Sequence, residues 1–561
     1  MQKTSKDHMH RTLKKPAHGP TRVSNVLQTQ VLVIGGGITG AGIARDLSLR
    51  GINCILAERF DVNAGASGAN HGLLHSGARY VSNDATAAEE CRQEGELLKK
   101  LAPDCIEDTG GLFVAIQGDD DNFVADFPGL CARSGIHARS VSIEDAREME
   151  PVLSDKLVAA YQVPDASIDP FKLTLENILQ ARTMGSTLLR HSEVIGFEID
   201  NHRIVRTRLK NLLTHEDFFV EAEQVVNASG AWAKAVAALA GCPIDLLYSK
   251  GSLLVTHNRL TQKVINRLRP SSNADILVPG GTVSILGTTS IRIDDLDAIY
   301  PTVKEIDFIL EEGSAMIPAL EKTRYIRAYS GVRPLLGSSG SGDDRSVSRG
   351  FAILDHQANN LTNFATITGG KLTTFRLMAE KAADLVSDRL GISAPCLTRT
   401  EPLPSGAGAK WTKPGLTPKL WVKHHDPGDL LLCECEMVPK SVVDSLISSI
   451  HQQNGTPDLK ALGVRSRIGK GACQGTFCAL RTSAYLYDAG EVKGAEGLNG
   501  IRAFISERWR GIRPLLWDTP LIQAELQEAI YCGMFGLEIS HKNRATEHST
   551  TGPQRRIAKG Q

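Results

Sequence analysis

Near its start the chain carries three closely spaced segments whose apolar positions obey different periods. Residues 30–35 (QVLVIG) form a solid apolar run, 38–50 (ITGAGIARDLSLR) have helix-forming character, and 53–58 (NCILAE) return to a solid run. Short continuous runs bounded by glycine predict strands buried on both faces, so the order is strand, helix, strand, a β-α-β unit. A later run, 225–232 (VVNASGAW), reads as a strand ending in small residues. No window supplies the ~18 uninterrupted apolar residues of a membrane-spanning helix. The most apolar stretch, 31–44, is broken by glycines and belongs to the first turn.

The pattern changes after residue 392. Residues 395–430 are rich in Pro, Gly, Thr and Lys and predict a linker with little regular structure. A compact unit is expected over 431–487, opening with CECEMVPKSVVDSLI, two cysteines leading into an apolar helix. A C-terminal element at 488–540 holds ISERWRGIRPLLW and an apolar, helix-like run. There Arg508, Arg510 and Arg513 beside Trp509 and Trp517 are read as packed structure in preference to a docking surface. Residues 1–28, with six basic residues and no apolar core, are expected to be a flexible basic tail and not a secretory signal, and 541–561 a disordered tail.

Length and charge add bounds. At 561 residues the chain exceeds one hydrophobic core and suggests about three or four units. Lys+Arg and Asp+Glu are both 63, so the net charge is zero and nothing recruits nucleic acid as a whole; any anion site must be local. Eleven cysteines, seven of them scattered, fit a reducing, cytoplasmic compartment.

The first strand-to-helix turn carries Gly35-x-Gly37-x-x-Gly40, with Gly36 and Thr39 beside them. Glycines here allow the tight turn and let backbone approach a pyrophosphate held at the helix N-terminus. Glu58, which is 58 − 35 = 23 residues on, ends the second strand, where a carboxylate accepts hydrogen bonds from an adenosine ribose. The motif alone leaves NAD and FAD open. The small residues of 65–80 (GASGANHGLLHSGARY), Ser67 among them, and Gly230 at the end of VVNASGAW favour FAD.

From about 29 to 392 these blocks resemble the D-amino-acid-oxidase-like FAD family, and more narrowly the FAD-dependent glycerol-3-phosphate dehydrogenases. The resemblance implies an α/β fold: a FAD-binding, Rossmann-like doubly wound sheet (roughly 29–115, 205–240 and 340–392) with an α+β substrate domain between. It places Arg79 and Tyr80 of HSGARY and Arg333 of GVRPL at the substrate, and closes GGKLTTFR, with Gly369, Gly370 and Lys371, over the flavin. Arg79, Arg333, Arg349 and Lys371 all sit beside glycines or small residues, contexts that aim cations into a cleft, and a phosphate dianion is best held by guanidinium forks.

Where single-subunit members show a histidine after Lys-Gly-Ser, this chain has Leu253 after Lys250-Gly251-Ser252. The general base is therefore unassigned, with His75, Lys250 and Lys371 as candidates. KGSLLV, DILVPGGTVSILGTTSIRID and AYSGVRPL look like the A subunits of anaerobic, multisubunit glycerol-3-phosphate dehydrogenases. That implies oxidation of sn-glycerol 3-phosphate to dihydroxyacetone phosphate. It also implies electrons passed to further subunits, including a membrane-anchoring iron–sulfur subunit, and to a quinone, with the chain peripheral on the cytoplasmic face of the inner membrane.

Four cysteines pair closely as Cys433-x-Cys435 and Cys473-x4-Cys478. Two pairs of thiolates suit a [2Fe–2S] cluster, with zinc or four unrelated buried thiols as alternatives. The region resembles the bacterioferritin-associated-ferredoxin-like [2Fe–2S] domain, a small and mainly helical fold. Two competing functions remain: an amino-acid, opine or hydroxyproline dehydrogenase subunit, and a flavin and iron–sulfur electron-transfer or redox-sensing component without a substrate.

Overall fold

The computed structural model describes residues 26–297, 299–337, 350–404, 421–423, 425–452 and 455–537. The basic tail up to residue 25, Arg349, residues 405–420 of the linker and the tail at 541–561 lie outside the described residues.

Two sheets organise the chain. In the first, Val26–Ile34 lies parallel between Asp217–Asn227 and Cys54–Ala57, which pairs in turn with Thr187–Leu189. Ser192–Asp200 and Arg203–Asn211 extend it beyond Asp217–Asn227, and Phe364–Gly369 joins the same strand in parallel. The solid apolar runs are buried because helices cover the sheet: Ile38–Leu49 packs against Pro170–Thr183 and Phe375–Leu390, with Val31, Val33, Ile43, Leu47 and Ala383 in one core. The second sheet runs from Arg139–Val141 through Leu157–Val163, Gly111–Ile116 and Val264–Arg267 to the long strands Leu246–Thr256 and Tyr325–Leu336. Val303–Met316 packs on it through Ile306 and Ile309.

Several sequence boundaries move. The first strand begins at Val26, inside the expected tail, because Val26–Thr29 still pair with Phe219–Ala222. Gly111–Ile116 belongs to the second sheet, whereas Thr187–Leu189 and Ser192–Asp200 belong to the first, ahead of the expected start at 205. An apolar run announces a strand but not the sheet that receives it; pairing across more than 100 residues decides that.

The cysteine unit is a short hairpin, Leu431–Cys433 with Val438–Pro439, followed by helices Lys440–Gln452, Leu459–Arg465, Cys478–Asp488 and Ala495–Ile512. Its core includes Val492 and takes in Phe504, so it extends past the expected end at 487. The unit is clamped to the first sheet by Asp61, whose carboxylate accepts from Arg190 at 3.0 Å and Arg465 at 2.9 Å, all three side chains at most 5% exposed. The C-terminal element divides in two. Leu515 enters the core of the second sheet, but Asp518–Phe535 buries none of its residues and exposes Ile522, Leu526, Ile530 and Met534 at four-residue spacing along one face. No helix among the described residues is long and apolar enough to cross a membrane.

Candidate active site

At the nucleotide turn, space is made by removing side-chain atoms. A Cβ on Gly40 would stand 2.0 Å from the Gly35 carbonyl oxygen, so the helix can start this close to the strand only without one. Gly35 has φ +114°, and a Cβ there would meet the Ala228 oxygen at 2.6 Å, which brings the VVNASG strand end against the loop. Gly37 caps Ile38–Leu49, Thr39 lies in its first turn, and Ser67 Oγ accepts the Ile38 N–H at 2.9 Å, at the end of the helix where backbone donors favour an anion. Gly230 opens the short turn Gly230–Trp232 with φ +58°. Glu58 accepts the Gly36 N–H at 2.6 Å and the Phe60 N–H at 2.8 Å; burial pushes its carboxyl up, against these two donors. Backbone without Cβ atoms, helix-start donors and an acidic strand end fit an adenine dinucleotide.

A second group forms where the GGKLTT turn meets HSGARY. Gly369 and Gly370 both have positive φ, and the Lys371 ammonium projects over the Tyr80 ring at 5.1 Å. That ammonium is buried and has no hydrogen-bond acceptor among the described residues. The His75 ring lies 5.3 Å from that of Tyr80, and its backbone N–H donates to Thr373 Oγ1 at 3.1 Å. Burial, reinforced by His71, Arg79 and Lys371, pushes His75 well below its ordinary 6.5, so its imidazole is neutral at pH 7. Arg376, the last residue of the GGKLTTFR block, is buried and forked onto Glu94 at 2.6 and 2.8 Å, which ties the turn to the helix Ala85–Leu101.

Two of the predicted arginines, Arg79 and Arg333, bind stretches that a backbone hydrogen bond joins. Arg79 donates to the Ser272 carbonyl at 2.9 Å and to Asp275 at 3.1 Å. Arg333 donates to Thr289 O at 3.2 Å and to Thr288 Oγ1 at 3.1 Å, and Thr288 O accepts the Ala274 N–H at 3.0 Å. A Cβ on Gly251 would come within 2.6 Å of Arg333, so the glycine of Lys-Gly-Ser makes room for the guanidinium.

Lys250 is not among these groups. Its ammonium pairs with Glu305 at 2.8 Å and donates to Tyr300 O at 3.0 Å. Burial raises Glu305, but the hydrogen bonds from Lys250 and Ser252 outweigh it and hold the carboxyl low. Lys250 is therefore committed to a buried ion pair and drops out as a base. Asp275, Glu94 and Glu305 all organise this region and none was singled out in sequence, because each acts through a partner that only folding supplies.

The four cysteines of the C-terminal unit face one another. Cys435 Sγ lies 3.8 Å from Cys433 Sγ and 3.6 Å from Cys473 Sγ, and Cys478 closes the ring against Cys433 and Cys473. Hydrogen bonds from Cys435 and Cys478 pull Cys473 down, while Cys433 and Cys473 push Cys435 up. Among the described residues no three or more His, Cys, Asp or Glu side chains are disposed as a cage for a single metal ion. The donor set itself, four soft thiols in two pairs, is the one a sulfur-bridged diiron centre takes.

Residues 30–385 match the family of FAD dependent oxidoreductases, and the chain belongs to it. Within that class it groups with the A subunits of anaerobic glycerol-3-phosphate dehydrogenases. It is 41% identical over 536 residues to that subunit of Escherichia coli (strain K12), across 92% of this chain and 98% of that protein. It is 35% identical over 535 residues to subunit A1 of Haloferax volcanii, across 89% of each. The glycerol-3-phosphate dehydrogenase of Bacillus halodurans, solved with FAD, shares the fold with a TM-score of 0.63 at 21% identity, covering 88% of this chain and 96% of that one.

Proposed function

We propose that this chain is the catalytic subunit of a multisubunit glycerol-3-phosphate dehydrogenase, oxidising sn-glycerol 3-phosphate to dihydroxyacetone phosphate. The observation that carries the site assignment is Lys371, a buried ammonium with no hydrogen-bond acceptor among the described residues, set beside Tyr80 and a neutral His75. A buried cation without an acceptor is costly unless a ligand supplies one. Arg79 and Arg333 hold the substrate's phosphate, and Arg349 is proposed as a third contact. His75 takes the proton from the C2 hydroxyl, Lys371 steadies the oxygen left behind, and Tyr80 orients it. FAD, when bound, supplies the acceptor for the hydride on C2. Gly35, Gly36, Gly37, Thr39, Gly40, Glu58, Ser67 and Gly230 would hold its adenosine and pyrophosphate, and Gly369 and Gly370 its ring.

Cys433, Cys435, Cys473 and Cys478 are proposed to carry a [2Fe–2S] cluster that receives the electrons. Further subunits, one of them a membrane-anchoring iron–sulfur protein, would take them to a quinone and hold the chain at the cytoplasmic face of the membrane. The uncovered apolar face of Asp518–Phe535 supports such an association. The test is anaerobic stopped-flow bleaching of flavin absorbance by sn-glycerol 3-phosphate, with proline, hydroxyproline and opines as controls. Bleaching by the phosphate alone is expected, slowed about 100-fold or more in Lys371→Met. Bleaching by an amino acid instead would replace the substrate assignment.

A further inference from the structure

A cavity of about 360 Å³ lies where the cysteine unit meets both sheets. Its walls come from 63–72 and 167–171 beside the first sheet, 279–285 and 327–330 of the second, and 467–474 with 507–508 of the cysteine unit. None of His75, Arg79, Tyr80, Arg333 or Lys371 lines it, nor does the loop of Gly35 to Gly40. Its lining is distinct from those groups and meets the nucleotide site only at the 63–72 loop that carries Ser67.

Four cations enter it: Arg327, Arg467, Lys470 and Arg508. Two are neutralised, Arg467 by Glu436 and Arg327 by Glu507. The other two are not. Lys470 lies 4.0 Å over the Phe171 ring and has no hydrogen-bond or ion-pair partner among the described residues. Arg508 stacks on the Phe504 ring at 4.8 Å and donates one N–H to Gln474 at 3.0 Å, and its buried Nε finds no acceptor among the described residues. Asp169, also in the wall, accepts the N–H groups of Phe171 and Lys172 through Oδ1 in capping Pro170–Thr183, and its charge acts on Lys470 from a distance without a hydrogen bond to it. Burial, reinforced by the neighbouring cations, pulls Lys470 down to about 8 and Arg508 to about 9, and Asp169 and Glu507 offset it only in part. A folded chain keeps such a pair at a cost unless an anion completes it.

We infer that this cavity is a second anion site, built to take a phosphate group carried on a small organic body. A guanidinium and an ammonium lining one cavity suit phosphate oxygens. Gly281 keeps the Arg467 side open, since a Cβ there would stand 2.9 Å from its guanidinium. Val255, Ile285 and Tyr329 add apolar surface to that of Phe171 beneath Lys470, and the volume lies in the range of small-molecule sites. Because the site joins the cysteine unit to both sheets, its ligand also holds the two halves of the molecule together.

The test is calorimetric titration of the FAD-loaded full chain with phenyl phosphate and with inorganic phosphate, in the unsubstituted protein, Arg333→Ala and Lys470→Met. Phenyl phosphate is expected to bind Arg333→Ala as it binds the unsubstituted protein, and to bind Lys470→Met about tenfold or more weakly. Preference for phenyl phosphate over inorganic phosphate makes the ligand an ester; equal binding makes it free phosphate. Arg508→Gln supplies the same comparison should Lys470→Met not fold. Flavin bleaching by sn-glycerol 3-phosphate is expected to survive in Lys470→Met. The site is overturned if Lys470→Met and Arg508→Gln titrate like the unsubstituted protein, or if binding disappears with Arg333 alone.

Discussion

The two ends of the molecule prepare for their cofactors by opposite means. At the nucleotide end the chain omits atoms: Gly35, Gly37 and Gly40 leave a gap between strand and helix, and the elements that bound it are contiguous in sequence. At the cysteine end it supplies atoms: Cys435 and Cys473, 38 residues apart, bring their sulfurs to 3.6 Å. The turn of the first site is set as soon as one β-α-β unit folds, and Ser67 and the 228–230 strand end are then added to it. The second depends on a hairpin, several helices and a buried clamp to the first sheet, and so it can be lost without the other.

The strongest way to break the contrast is at Gly40. In Gly40→Val the new side chain starts from a Cβ 2.0 Å from backbone oxygen, with no flexible neighbour to yield. We expect no FAD in the purified protein by absorbance and severe loss of folded yield, with the cysteine site lost as well, because it docks on that sheet. Cys473→Ser tests the converse. Iron content and the visible and EPR signals of a cluster should vanish while substrate still bleaches the flavin; loss of bleaching too would mean that the ends are not separable.

The same contrast explains what was legible in the sequence. The nucleotide turn could be read because its requirements are local: solid runs at 30–35 and 53–58, glycines at fixed offsets and Glu58 closing the second strand. The cysteine pairs could be read as a donor set, but not their ring. Lys250 and Lys371 looked alike on paper, each beside glycine. Only the fold distinguishes them, giving Lys250 its Glu305 partner 55 residues away and leaving Lys371 without an acceptor among the described residues. Strand membership failed for the same reason, since Gly111–Ile116 and Thr187–Leu189 are assigned by partners distant in sequence.

The link between the ends is Asp61. Removing its carboxylate in Asp61→Ala strands Arg190 and Arg465, both nearly fully buried, and should cost about 3–5 kcal/mol. Proteolysis of the cysteine unit should then precede unfolding of the FAD-binding sheet in urea. A single cooperative transition, shifted as a whole, would mean that the clamp stabilises the entire chain and not the joint.

The smallest effect expected is a dependence on acid that runs through the same residue. Burial alone would raise the Asp61 carboxyl, but Arg465 and Arg190 overcome it and bring it down to about 2 from an ordinary 3.8. Because its folded value is depressed, the stabilisation is complete above about pH 4 and is lost as pH falls from there toward 2, a difference of about 2–3 kcal/mol. His75 acts earlier and in the same direction. Its imidazole is held neutral in the folded chain, so protonation of the unfolded chain below about pH 6.5 also favours unfolding. Urea midpoints measured from pH 7 to 3 should therefore fall in two stages. Asp61→Asn should flatten the lower stage and leave the upper one, whereas His75→Asn should do the reverse. If Asp61→Asn leaves the lower stage intact, other carboxylates govern it and the clamp's charge is not what joins the two ends.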